Sequence, residues 1–468
     1  MLTGRSSYRP QDAAIVNRVM VSAVDITARL RAPILVLYAA LFVVLLPAGL
    51  IPSNIHSILN RSMAALALGV WLFSEDAWRR PIWSTTTSLM LAFLLWSGFS
   101  LLWAKDIHTG MTILLTYTLR FLVFLFLVPN LIRNRKELDG LMYVLALAGW
   151  VLLLIGAGTI LTGGYTFGTR FKVLDENENG PATLALIAMI GVLWHARRSP
   201  GSKATLGLII ASIFLLMTMG LVALSGSRGG AISLLIVLLA FCCWRPSRGW
   251  GKLGLAALVL AIILTPAIFK ATSDRFAAST DNYSSDTALG GREPLWKAGL
   301  QLIGDHPLSG VGIGNSGFEI RASVVRVRAI DDQDDAPVGN PMGKATSIHN
   351  PIVVIGAETG LPGLLLYLGV IITAFWSFLR DYQKCRNLGA QNFIPYFALV
   401  TSVFLGYMAS WIKGGGMESS HTFFLLLSLL LIPSALAVRG FEHAKGPNTE
   451  TVTQELNYPR PLPVSEWR

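Results

Sequence analysis

Apolar residues in this chain come in long, nearly unbroken blocks. They show neither the i, i+3, i+4 spacing of a soluble amphipathic helix nor the alternation of a half-buried strand. Twelve blocks reach or approach the about 20 residues needed to cross a hydrocarbon core roughly 30 Å thick. They are Ala32–Ile51, Ile55–Phe73, Ile82–Trp103, Met111–Leu131, Leu141–Leu161, Pro181–Ala196, Leu206–Leu224, Gly229–Trp244, Leu253–Phe269, Leu361–Phe378, Phe393–Trp411 and Phe423–Val438. The sixth, eighth and twelfth are short, which predicts that they begin or end in polar pockets inside the protein. The pattern predicts an all-α polytopic membrane protein of about twelve transmembrane helices. The first block follows a polar lead and has no small-residue cleavage site, so it reads as a span and not as a cleaved signal peptide.

Composition narrows the class further. Of 468 residues, 53% are hydrophobic and 14% charged, and the mean hydropathy is +0.56. A soluble domain carries roughly 25% charged residues, so a water-soluble enzyme is excluded. The apolar content excludes a disordered chain, and three cysteines exclude a disulfide scaffold. The net charge of +11 sorts by side. With the N-terminus in the cytoplasm, the short cytoplasmic loops hold fourteen Lys and Arg, among them Arg79, Arg80, Arg133, Arg135 and Lys136. The far side holds six: Arg61, Lys105, Arg170, Lys172, Arg228 and Lys413. By the positive-inside rule both termini are cytoplasmic. Cys242, Cys243 and Cys385 then lie at the reducing face. The positive charge reports topology, and nucleic-acid binding is not needed to explain it.

One insertion interrupts the pattern. Residues 270–349, between the ninth and tenth blocks, contain no spanning segment and fall on the outer side. Phe276, Trp296, Leu300, Leu302 and Phe318 give them the makings of a partly helical outer lid, with an acidic tip at Asp331–Asp335. The chain thus divides into a cytoplasmic segment (1–31), a membrane domain (32–438) and a polar, Pro-containing tail (439–468) that reads as disordered.

Candidate chemistry gathers on the outer side. Arg120 lies deep in the fourth block, where a charge is costly and points either to satisfaction by neighbouring carbonyls or to an anionic headgroup. Ser225-Gly226-Ser227-Arg228-Gly229-Gly230 is a small-residue turn at a helix start. Backbone N–H groups there favour anions, and a guanidinium fork suits phosphate oxygens. The insertion contributes Gly291-Arg292, Trp296 and Asp305-His306-Pro307-Leu308-Ser309-Gly310-Val311-Gly312, then ends at His349-Asn350-Pro351. His349 sits at a helix start, whose positive end favours the neutral imidazole that a general base needs. His306, ahead of Pro307, reads as a turn residue. Gly312–Gly317 fits G-x-G-x-x-G, but it has no strand–turn–helix context and does not read as a dinucleotide site. Asp332-Gln333-Asp334 reads as a solvated charge run. Glu358, nine residues after His349, points away from it on an uninterrupted helix.

In their order these motifs, with Glu358-Thr359-Gly360-Leu361-Pro362-Gly363, resemble the bacterial O-antigen ligase/polymerase superfamily over roughly residues 32–438. The resemblance implies a membrane-embedded, GT-C-like glycosyltransferase in the bacterial inner membrane with its active site facing the periplasm. It implies transfer of a glycan (O-antigen) from undecaprenyl diphosphate to a sugar hydroxyl of the lipid A–core oligosaccharide, within membrane lipids and with no cofactor or metal. Arg228 and Arg292 match the family's diphosphate-binding arginines and His349 its essential histidine. Arg170, Arg120, Ser227, Asn350 and Trp296 are further site candidates. Asp175–Gly180 resembles an Asn-containing loop of many members. Pro351 departs from the family, where an apolar residue commonly follows His-Asn, and is expected to blur the helix start.

Three alternatives stay open: a polymerase joining lipid-linked repeat units, a ligase that glycosylates protein, and, of another class, a lipid or solute transporter. A transporter of this size would show internal repeats with broken helices in corresponding places, and none is visible in the sequence.

Overall fold

A computed structural model describes residues 31–46, 50, 53–74, 81–164, 171, 173, 179–198, 202–225, 227–245, 247–264, 293–320, 348–387, 390, 393–412 and 420–444. Among these residues the fold is all helical. In chain order the helices are α1 (Ala32–Leu45), α2 (Ser53–Leu72), α3 (Thr85–Trp103), α4 (Ile107–Leu131), α5 (Arg135–Leu161), α6 (Asn179–Arg198), α7 (Ser202–Ser225), α8 (Arg228–Cys243), α9 (Arg248–Leu264), α10 (Glu293–Asp305), α11 (Pro351–Asn387), α12 (Ile394–Trp411) and α13 (His421–Ala444). Each of the twelve apolar blocks coincides with a helix, and α10 belongs to the insertion. Seven helices (α3 to α7, α11 and α12) are long and apolar enough to cross a membrane, and four others are shorter apolar helices.

The helices that carry the short sixth and twelfth blocks run beyond them. α6 has 20 residues and α13 has 24. Polar ends such as Asn179, Gly180, Arg197 and Arg198 continue the helix beyond its apolar stretch. α13 likewise runs past Val438, so the tail begins after the helix ends at Ala444. α1, by contrast, stops at Leu45, ahead of Pro47.

α6 is 83% buried along its span, and nearly every residue of α13 from Thr422 to Ala435 is buried. These two helices and α12 form the centre. Outer helices turn Leu95, Leu154, Leu365, Ile372 and Trp376 outward, where hydrocarbon is the natural solvent. Close approach relies on small residues. A Cβ built on Gly191 of α6 would strike the backbone of Met142 in α5, and one on Gly149 of α5 would strike Ala188.

Successive helices alternate in direction, so polar links collect at two ends. At one end Arg31 pairs with Glu137 at 2.7 Å, the Asn130 side chain accepts from Ile82 N at 2.7 Å, and Trp194 Nε1 donates to Asp139 at 2.8 Å. At the other, Asn315 Oδ1 accepts from Asp106 N at 2.8 Å, Ser233 donates to Ser410 at 2.8 Å, and Phe171 N donates to Leu224 O at 3.1 Å. The second end carries His349.

The feature that builds this end is a break in α11. Gly360 leaves the helix with φ 68° and ψ −176°, a region open only to glycine. A broken helix exposes backbone groups that lipid cannot satisfy, and one loop of the insertion satisfies them. Val311 N donates to Ala357 O and Gly312 N to Glu358 O, both at 2.9 Å, while Leu361 N donates to Pro307 O at 2.7 Å. Trp96 Nε1 takes up Thr359 O at 2.7 Å. The loop is held from beneath by Ser100, whose Oγ accepts from Ile313 N at 3.0 Å, and by Trp103 Nε1, which donates to Ser309 O at 3.2 Å. The glycine-rich stretch that mimicked a nucleotide fingerprint therefore plugs a helix break.

Candidate active site

His349 is the one non-glycine residue with positive φ (55°) among those described. Histidine shares with Asn and Asp a several-fold enrichment in the left-handed region, and strained backbone of this kind clusters at functional sites. Asn350 then caps α11: its Oδ1 accepts from Ile352 N at 3.0 Å and Val353 N at 3.3 Å, and its own carbonyl accepts from Val354 N at 2.9 Å. Pro351 occupies the first helical position, where a missing N–H costs nothing and φ is already set. The expectation that Pro351 blurs the helix start is thus corrected; it defines it.

α10 lies across this start. Ile348, Val353, Val354 and Ala357 form a small apolar cluster with Leu302, Val311 and Ile320, against which Leu295 and Trp296 pack. A Cβ on Gly299 would come within 2.5 Å of Val353 Cγ1 and 3.2 Å of Ile348 Cδ1, so α10 approaches as closely as a glycine allows. The Trp296 indole N–H is buried and has no hydrogen-bond partner among the described residues. His349, Asn350 and Trp296 are thereby brought into one neighbourhood, Asn350 as the cap that orients the turn.

Ser227 and Arg228 sit at the same end of the bundle, at the start of α8. The Ser227 side chain is engaged locally, accepting from Gly230 N at 3.0 Å as the helix cap. Ser225 Oγ accepts from Ser227 N at 3.3 Å and donates to Val222 O at 2.9 Å. Both hydroxyls hold the turn. Gly229 and Gly230 admit the neighbours: an added Cβ would lie 2.9 Å from Ser410 Oγ and 3.1 Å from Ala182 Cβ respectively. Arg228 is thus the first residue of a helix wedged between α6 and α12, with its N-terminal dipole at the His349 end. The side chain of Arg228 lies outside the description, as do Arg170, Arg292, Asp175–Glu178 and Asp331–Asp335. Arg120 is half-buried in α4 and lines a cavity with residues of α2 and α13. No described contact joins it to the His349 cluster.

Glu358 was read from sequence only as unpaired with His349. It is buried beneath the loop, accepting from Ser316 Oγ at 2.7 Å and from the backbone N–H groups of Gly314 and Ser316. Its partners lie some forty positions upstream, and the alternating glycines at 310, 312 and 314, all with positive φ, were the signal that a tight fold was needed there. Among the described residues no three His, Cys, Asp or Glu side chains gather as for a metal ion.

Residues 213–368 match a family model described as O-antigen ligase, and residues 13–198 match a family of unknown function. No curated protein matches the chain. The O-antigen ligase match runs from α7 through the Ser227–Gly230 turn, α10, the plug and the His349 turn into α11, and so contains the whole candidate site except Arg120 and Arg170. Residues 213–368, a third of the chain, are thus similar to the O-antigen ligase family, within a protein that is all helical among its described residues and has seven helices long and apolar enough to cross a membrane.

Proposed function

We propose that the chain moves a glycan from undecaprenyl diphosphate to a sugar hydroxyl of the lipid A–core oligosaccharide, at the periplasmic face of the inner membrane. The observation that carries this reading is the turn at His349: an imidazole on left-handed backbone, fixed by the Asn350 cap and roofed by α10, inside the segment that matches O-antigen ligase.

The reaction displaces a lipid diphosphate from an anomeric carbon. The acceptor oxygen forms the new bond to that carbon as the bond to the diphosphate oxygen breaks. The acceptor proton passes to a neutral His349, a contribution of roughly 10²–10⁴-fold for a well-placed general base. Charge developing on the leaving diphosphate falls to the Arg228 and Arg292 guanidiniums and to the N-terminus of α8, preorganised donors of a kind worth about 2.7–4 kcal/mol each by analogy with an oxyanion hole. The positive charge of the arginines substitutes for a metal, and the glycosyl–diphosphate bond supplies the driving force without a nucleotide.

Transfer in vitro, with purified lipid-linked glycan and purified lipid A–core, tests the proposal directly. Wild type is expected to produce glycan-bearing lipid A–core and His349→Ala none, compared at equal amounts of folded protein. Transfer by His349→Ala at the wild-type level removes the base from the mechanism. In cells, deletion is expected to leave bare lipid A–core with accumulated lipid-linked polymer. Core bearing a single repeat unit after deletion identifies a polymerase instead.

A further inference from the structure

A cavity of about 160 Å³ opens between α1, α2, α4 and α13, lined by Asn60, Arg61, Thr116, Arg120 and His421 on its polar side and by Val44, Ala64, Leu119, Val123 and Phe124 on its apolar side. At about 30 Å³ per water, its volume is on the order of five waters, room for one compact polar headgroup. Two arginines and a histidine face it, and no carboxylate is among its described lining residues. The Asn60 side-chain oxygen is buried there without a hydrogen-bond partner among the described residues, which leaves an acceptor for a hydroxyl of an occupant.

Two further observations bear on what that occupant is. α4 changes register to a π-helix over Phe121–Leu127, directly after Arg120. Pro129, which has no N–H to return to Leu125, helps to force the change, and π segments inside α-helices recur at functional sites. The cavity also lies toward the His349 end. Val44 is near the close of α1, Asn60 and Arg61 are in the first half of α2, and His421 opens α13. Its apolar walls belong to membrane helices, so a ligand with an anionic head and an alkyl body meets both halves of the lining at once.

We infer that this cavity binds a phosphate group carried as the headgroup of a membrane lipid, at a site separate in its residues from Arg228, Arg292 and His349. Guanidinium forks are suited to phosphate oxygens, and the Asn60 oxygen can accept from a hydroxyl of the headgroup. The assignment does not depend on which glycan the protein transfers.

The test uses the full chain purified in dodecyl maltoside, with the thermal midpoint followed against three probes: dioctanoyl phosphatidic acid, dioctanoylglycerol and sodium phosphate. Saturable stabilisation by phosphatidic acid is expected, with little by the other two. Arg61 is exposed, so Arg61→Gln folds normally and is expected to weaken the phosphatidic acid response about tenfold, or about 1.4 kcal/mol. Asn60→Asp places a carboxylate in the cavity and is expected to abolish it. Equal stabilisation by sodium phosphate alone overturns the lipid assignment. Equal stabilisation by dioctanoylglycerol, or an undiminished response in both variants, overturns the phosphate site altogether.

Discussion

Glu358 and Ser316 meet inside the break of α11, the serine hydroxyl donating to the carboxylate at 2.7 Å while two backbone N–H groups of the same loop converge on it. One buried side chain thus ties the insertion to the membrane helix at the point where the helix is weakest. Glu358→Ala leaves those donors without an acceptor, at about 1–3 kcal/mol for each one stranded. Glu358→Gln keeps one acceptor oxygen and is expected to lose clearly less. Thermal unfolding of both variants in detergent, read by intrinsic fluorescence, checks the ranking.

Gly360 admits no substitute. Its ψ of −176° at positive φ is strained for any side chain, and an added Cβ would sit 2.5 Å from Leu308 O. Strain alone costs about 1–3 kcal/mol, before the displaced loop is counted. Gly360→Ala is expected to fall sharply in folded yield by fluorescence-detected size exclusion, and normal yield contradicts the break as described.

Backbone and side chain can be separated at His349. Asparagine tolerates the left-handed region, whereas alanine is disfavoured there by roughly 1–2 kcal/mol. His349→Asn is therefore expected to match the wild-type thermal midpoint yet transfer no glycan, and His349→Ala to be both inactive and less stable. Activity retained in His349→Asn assigns this residue to shaping the turn alone.

Removing the helix cap is expected to act through that turn. Asn350→Ala forfeits the hydrogen bonds to Ile352 and Val353, a loss of about 0.5–2 kcal/mol. Asn350→Ser retains a capping oxygen and is expected to restore most of the stability. A parallel recovery of transfer rate in Asn350→Ser, measured against lipid A–core, shows that the cap positions His349.

Acid sensitivity has one identifiable source outside the spans. The Thr109 hydroxyl and then its N–H, both donating to Asp106, hold that carboxyl below the ordinary aspartate range. A lowered folded-state value stabilises above the unfolded-state value, and that contribution fades as the pH drops below about 3.9. Asp106→Asn mimics the protonated carboxyl, so it is expected to lower the unfolding midpoint at neutral pH and to flatten the acid limb, converging with wild type at low pH.

Much of this architecture was legible in the blocks of apolar residues, because a membrane helix must satisfy its own backbone and so declares itself by length. The helix start beside His349 and the Ser225–Gly230 turn were legible for a related reason, since their residue types fit only a few backbone conformations. Boundaries were less so. Nothing apolar marks the last turns of α6 and α13, which polar side chains complete at the bundle ends. The cavity around Arg61 and Arg120 was hidden for another reason: its walls come from four helices spread along nearly the whole chain. The partners of Glu358 were hidden because its environment is made by a loop whose glycines mimic an unrelated motif.

The loop that seals the break in α11 leaves the ribosome before α11 does. When the Pro351–Thr359 half of that helix emerges, the peptide groups it must bond with are already synthesised. The order of translation therefore gives this half a partner for its broken end from the moment it emerges.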